Sequence, residues 1–120
     1  MRPSIIREKS FAFAIRIVKL SRHLNDDKRE YILSKQLMRS GTAIGALICE
    51  ADYAESKPDF VHKLKIALKE ANETKYWIEL LYGSEFIDLA GYDSLCPDVL
   101  ELIKLLTSII NTTKKGMRST

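Results

Sequence analysis

Six cations crowd the first 24 residues: Arg2, Arg7, Lys9, Arg16, Lys19 and Arg22, with Glu8 the only carboxylate among them. Wound into a helix, Lys9, Arg16, Lys19 and His23 fall near one stripe, and Arg22 lies beside it. Arrays of this kind neutralise phosphates and release condensed counterions, which is the chemistry of nucleic-acid backbones. Lys114, Lys115 and Arg118 add charge near the other terminus. Lys9, Arg16, Lys19, Arg22, Lys114 and Lys115 are therefore the candidate nucleic-acid contacts. The plainer alternative is a solvated basic face, and no RNA-recognition or helix-turn-helix signature accompanies the charge. The net charge is only +3, but residues 85–101 hold five carboxylates (Glu85, Asp88, Asp93, Asp98, Glu101) and no base, so one end or face is expected to be basic.

Other chemistries find too few residues. A carboxylate-bridged metal pair in a helical bundle needs two Glu-x-x-His pairs. Here the only histidines are His23, with Leu20 three before it, and His62, with Asp59 three before it. Ser40 and Cys49 have no histidine on their helix to activate them and sit in no nucleophile motif. Glu50, Glu70, Glu73 and Glu79 could form an acid–base pair. Lys63, Lys65, Lys69 and Lys75 lie among the last three, so ion pairing and surface solvation are the simpler account. The run Ser40-Gly41-Thr42-Ala43-Ile44-Gly45-Ala46 is glycine-rich, but no Gly-Lys-Ser or Gly-Lys-Thr follows and no strand precedes, so it is not a phosphate loop. No enzyme activity, catalytic residue, cofactor or metal is expected.

The elements that carry these residues are helices. Pro is scarce, Gly sparse, and Leu, Ile, Ala, Lys and Glu abundant. The spacing predicts four helices at about 4–24, 28–55, 57–82 and 97–113, in one domain spanning 1–120. In the first, Phe13, Ile17, Leu20 and Leu24 form one stripe and Phe11, Ile15 and Val18 a second. Asp26 or Asp27 is the expected cap of the second helix, whose inner face is Leu33, Leu37, Ile44, Ile48 and Ala51. Gly41 and Gly45 each cost that helix about 1 kcal/mol relative to Ala, and close approach of a neighbouring helix would compensate. Arg39, Ser40, Gly41, Thr42, Gly45 and Glu50 are accordingly assigned to helix packing. Ser56 caps the third helix, with Pro58 and Asp59 in its first turn and Gly83 as its stop. Phe60, Leu64, Ala67, Ala71, Thr74, Ile78 and Leu81 make a heptad seam along it. Residues 83–96 read as a connection with a helical fragment near 85–90. Pro97 then opens the fourth helix, with stripes Val99, Ile103, Leu106, Ile110 and Leu102, Leu105, Ile109, and a tail that frays from about Thr112.

The pattern predicts an all-α, antiparallel up-down-up-down four-helix bundle. The second stripes of helices one and four exceed what one core face needs, which predicts a homo-oligomer. No apolar run approaches the roughly 20 residues of a membrane span, and no signal segment is evident, so a cytoplasmic location is expected. Cys49 and Cys96 are expected to be free, partly buried thiols.

The segments Lys35-Gln36-Leu37-Met38-Arg39-Ser40-Gly41-Thr42-Ala43-Ile44-Gly45-Ala46, Glu50-Ala51, Lys57-Pro58-Asp59-Phe60, Ile66-Ala67-Leu68-Lys69-Glu70-Ala71-Asn72-Glu73-Thr74 and Tyr76-Trp77-Ile78-Glu79-Leu80-Leu81 closely resemble the bacterial four-helix bundle family of 23S rRNA intervening-sequence proteins, some of which carry a ribosomal-protein label. The resemblance runs over about residues 10–113. It implies an up-down bundle assembled as a ring-like homopentamer, with RNA binding expected from genomic context and charge. A similar basic pentamer, the accessory protein of diversity-generating retroelements, binds a reverse transcriptase and nucleic acid. The family's usual Asn after Gly-Ala is Leu47 here, and Cys49 is also atypical. The partners to test are thus a second copy of the chain, RNA or DNA, or another protein docked on the assembly as a scaffold.

Overall fold

The computed structural model describes residues 4–118, so Arg2 of the basic segment lies outside the described residues. Four helices account for nearly all of them: α1 Ile5–Asp26, α2 Leu33–Ala51, α3 Lys57–Gly83 and α4 Leu89–Arg118. Among the described residues there is no strand. α2 packs on α1 and α3, and α4 packs on α3 and more lightly on α1. Cross-helix contacts join opposite ends of consecutive helices. Arg7 reaches Asp52, Ser21 reaches Ser34, and Glu50 meets Lys63.

α1 begins where Ser4 accepts a hydrogen bond from the Arg7 N–H. It buries Ile6, Phe13, Ile17 and Leu24. Its second stripe stays outside: Phe11 is 68% exposed and Ile15 42%. The corresponding stripe of α4 behaves differently. Val99, Leu102, Leu106 and Ile110 are buried, and Ile103, Leu105 and Ile109 are partly buried against the same core. Of the two second stripes, the one on α1 is therefore left exposed, while that of α4 is drawn into a wide core face.

α2 starts at Leu33 and ends at Ala51, shorter than the expected 28–55. Arg29 adopts φ 53°, which breaks the helical path between α1 and α2. Neither Asp26 nor Asp27 caps α2. Glu30 does so instead, accepting from the Ser34 N–H at 2.7 Å and the Ile32 N–H at 3.2 Å. Along α2 the two glycines differ. A Cβ on Gly41 would stand 2.8 Å from Ile17 Cγ1, so only glycine lets α1 come this near. At Gly45 the nearest atom is Ser10 Oγ at 3.4 Å, an ordinary contact.

α3 follows the expected seam. Ser56 accepts from the Asp59 N–H, and Leu64, Ala67, Ala71, Thr74, Ile78 and Leu81 are buried, with Phe60 partly so. The helix does not stop on a left-handed glycine. Gly83 is its last helical residue, and the left-handed position is Glu85 at φ 67°, where the Phe86 N–H returns to the Leu81 carbonyl.

α4 departs most from expectation. It starts at Leu89, not Pro97, and runs to Arg118, past the expected fraying point at Thr112. Asp88 is its cap, accepting from the Gly91 N–H at 2.8 Å. Pro97 lies inside the helix and has no N–H for the carbonyl of Asp93. Leu95 and Cys96 before it and Val99 after it are all buried, so core packing holds the helix through the proline. Arg16 of α1 also straps this turn, donating to the Ser94 carbonyl at 3.0 Å and pairing with Asp98 on the far side of Pro97. Cys96 is buried and Cys49 exposed, both as free thiols.

Candidate nucleic-acid interface

The α1 cations divide into committed and available groups. Lys9 is 3.0 Å from Glu101, and Arg16 binds Asp98 together with the Ser94 carbonyl and hydroxyl. Arg7, which carried no site assignment, pairs with Asp52 at 2.9 Å. The acidic stretch of α4 thus lies against part of the basic helix and offsets its charge. Helical spacing alone could not reveal this, because it depended on which face α4 would cover. Lys19 and Arg22 are exposed and form no ion pair among the described residues.

The C-terminal cations lie elsewhere. Arg16 is level with Ser94–Asp98 of α4, and Lys114 follows Asp98 by about 24 Å along the helix at 1.5 Å per residue. Lys114 stands beside Lys65 of α3 and Arg118. The Lys65 charge, with some desolvation and with Arg118, lowers its pKa. Lys115 is exposed on the last turns of α4. The six candidate residues therefore do not form one surface. Lys65 was missed as a neighbour of Lys114 because nothing in the sequence links the start of α3 to the end of α4.

The packing motif on α2 forms a polar cluster with α3. Arg39 donates to Glu70 at 2.9 Å and also to Glu73 on α3. Glu73 accepts from the Trp77 indole N–H at 3.0 Å. That bond, opposed by desolvation and helped by Arg39, lowers the Glu73 pKa. The hydrogen bonds Arg39 donates to Glu70 and Glu73 in turn raise its pKa. Beneath them, the buried Ser40 and Thr74 hydroxyls meet at 2.8 Å. Thr42 bonds its own helix at the Met38 carbonyl, and Glu50 pairs with Lys63 at 3.4 Å. The partner of Glu70 and Glu73 is thus Arg39 rather than the neighbouring lysines. Through these cross-helix bonds the cluster registers α2 against α3.

Between α1 and α2, on the outer side, lies an open groove of about 600 Å³. Val18, Arg22, Tyr31, Lys35, Met38 and Arg39 line it with Ser21, Asn25 and Ser34, and no carboxylate does. Sequence reasoning included Arg22 but not Tyr31 or Lys35, whose positions depend on the α1–α2 connection. A second recess, of about 710 Å³, lies by the α3–α4 connection, where His23 and Lys28 face Glu85 and Asp88, so its charge is mixed.

Among the described residues no helix is long and apolar enough to cross a membrane, and no group of three or more His, Cys, Asp or Glu residues could hold a metal ion. Residues 2–108 match the family model described as 23S rRNA-intervening sequence protein. No curated protein matches the chain significantly. Among solved structures, the crystal structure of a protein with unknown function from the S23 ribosomal protein family of Bacteroides thetaiotaomicron is 51% identical. It superposes with a TM-score of 0.88 and covers 89% of this chain and 96% of that one.

Proposed function

This chain belongs to the 23S rRNA-intervening sequence protein family, and from that premise we propose that it is a non-enzymatic, cytoplasmic, homo-oligomeric bundle that binds RNA or DNA. The proposed protomer is one domain of antiparallel, up-down-up-down helices, and the proposed assembly is a pentamer. Support for nucleic-acid binding comes above all from one observation: Lys19 and Arg22 remain unpaired and exposed on α1 after α4 has taken up Lys9 and Arg16. Lys114 and Lys115, near the opposite end, are a second proposed contact. Support for assembly comes from Phe11 and Ile15, large apolar side chains standing in water on an ordered helix. A packing role is proposed for Arg39, Ser40, Gly41 and Glu50, while Thr42 bonds only its own helix and Gly45 makes an ordinary contact.

The decisive experiment is RNA and DNA binding at two salt concentrations, with Lys19→Glu and Arg22→Glu together as the variant. Affinity is expected to fall with salt and to collapse in the variant, since each lost phosphate contact removes a counterion-release step. Arg16 is excluded from the variant because its loss would disturb α4. Absence of binding at low salt, or salt-independent binding, would refute nucleic-acid contact. The alternative, a scaffold that docks another protein on the apolar stripe of α1, predicts that partner binding survives these charge reversals.

A further inference from the structure

The groove between α1 and α2 combines three features that the packing of the chain does not use. First, its cations are uncompensated. Arg39 is held by Glu70 and Glu73, but among the described residues Arg22 and Lys35 have no ion pair and no carboxylate lines the groove. Second, it has an apolar floor in Val18 and Met38. Third, it carries an aromatic ring on a rigid mount. Tyr31 is 61% exposed, yet the backbone on either side of it is tied down. The Glu30 N–H donates to the Leu24 carbonyl at 2.8 Å, and the Glu30 carboxylate takes the Ile32 and Ser34 N–H groups. Ser34 Oγ adds bonds to Asn25 and to the Glu30 carbonyl. The backbone that carries Tyr31 is therefore fixed beside the groove before any ligand arrives, which lowers the ordering cost of binding.

We propose that this groove takes an unpaired nucleotide of a single-stranded nucleic acid, with the base against Tyr31 and the apolar floor and the phosphate on Arg22 and Lys35. The proposal rests on the nucleic-acid reading above and deepens it from a charged face to a site. A groove of about 600 Å³ falls in the size range of sites that enclose a small ligand. A flat basic surface would suit a duplex, whose bases are hidden. An aromatic platform flanked by two cations suits a strand whose bases are free to stack. An acidic peptide would satisfy the cations but leave the ring and floor without a role.

The test compares wild type with Tyr31→Ala, Tyr31→Phe and the pair Arg22→Gln, Lys35→Gln. The probes are a labelled oligouridylate, the same strand annealed to oligoadenylate, and polyglutamate as a competitor. Tyr31→Ala is expected to weaken oligouridylate binding by about tenfold, the loss of one stacked base, and Tyr31→Phe to bind like wild type. The Arg22→Gln, Lys35→Gln variant should flatten the salt slope by about 0.7 for each cation lost. The duplex should bind more weakly than the strand and ignore Tyr31. Wild-type affinity in Tyr31→Ala, or equal displacement by polyglutamate, would overturn the groove assignment and leave nucleic-acid binding standing elsewhere on the chain. Failure of wild type to bind either nucleic acid at low salt would overturn both. If Tyr31→Ala keeps its helical signal but loses self-association in light scattering, the groove belongs to a contact between copies and the nucleotide assignment is overturned.

Discussion

Where α2 meets Ile17 of α1, the packing depends on a single missing methyl group. Gly41 and Gly45 look equivalent in the sequence, two glycines four residues apart on one face of α2, yet only Gly41 meets a neighbour at sub-contact distance. The neighbour is the branched side chain of Ile17, itself fully buried, so it has little room to retreat. Gly41→Ala should therefore destabilise the protein by about 1–3 kcal/mol through overpacking. Gly45→Ala meets only Ser10 Oγ at the edge of normal contact and should gain up to about 1 kcal/mol of helix propensity. Urea denaturation of both variants checks the pair, and equal effects of the same sign would disprove this account. Thr74 and Ser40 illustrate the same limit of sequence reading. The seam placed Thr74 inside, but its buried hydroxyl partner 34 residues earlier became evident only once α2 and α3 were in register.

At the scale of the helix, termini decide what the hydrophobic period cannot. The period located the middle of every helix, because core packing enforces it. It misjudged the ends of α2 and the whole start of α4, because those depend on Arg29 leaving the helical region, on Glu30 rather than an aspartate acting as cap, and on Asp88 initiating a helix that carries Pro97 in its interior. Glu30 offers a pH test of its cap. Burial alone would raise its pKa, but hydrogen bonds from the Ser34, Leu33 and Ile32 N–H groups and the Ser34 hydroxyl outweigh burial and lower it. A lowered folded-state pKa stabilises the fold above the unfolded value of about 4.3 and ceases to do so as pH falls through the folded value. The Tm gap between wild type and Glu30→Gln should thus be present at neutral pH and close in acid. A gap that does not change with pH would show that the carboxylate is not acting through its charge. The strap across Pro97 offers a second test. Arg16→Gln removes contacts to a backbone carbonyl and to Asp98 and should cost about 1 kcal/mol. Lys9→Gln removes only an exposed pair and should cost about 0–0.5 kcal/mol. If thermal melts rank the two the other way, α4 does not need the strap.

For the whole molecule, the separation of charge foreseen in the sequence is offset in part where α4 meets α1, through Lys9–Glu101 and Arg16–Asp98, and α1 also keeps exposed apolar surface. Phe11, Ile15 and Val18 lie four and then three residues apart on α1, and Val18 continues the stripe into the groove that holds Arg22, Tyr31 and Lys35. Assembly through Phe11 and Ile15 would place that groove at the rim of each contact and repeat it around the oligomer. Two consequences can be measured together. Phe11→Lys with Ile15→Lys changes only exposed side chains, so helicity and Tm should stay near wild type. Light scattering at micromolar concentration should then fall from the oligomer to a 13.7 kDa monomer. On a short oligouridylate that fills one groove, the monomeric variant should bind as wild type does. On a long strand it should lose the gain from linked sites, a factor of about 10²–10⁴ where geometry permits simultaneous binding. A wild-type protein that scatters as a monomer removes the first step. An oligomer that survives both lysines removes this stripe as its cause. If the variant is monomeric but binds long and short strands equally well, assembly is not how the grooves are brought to one ligand.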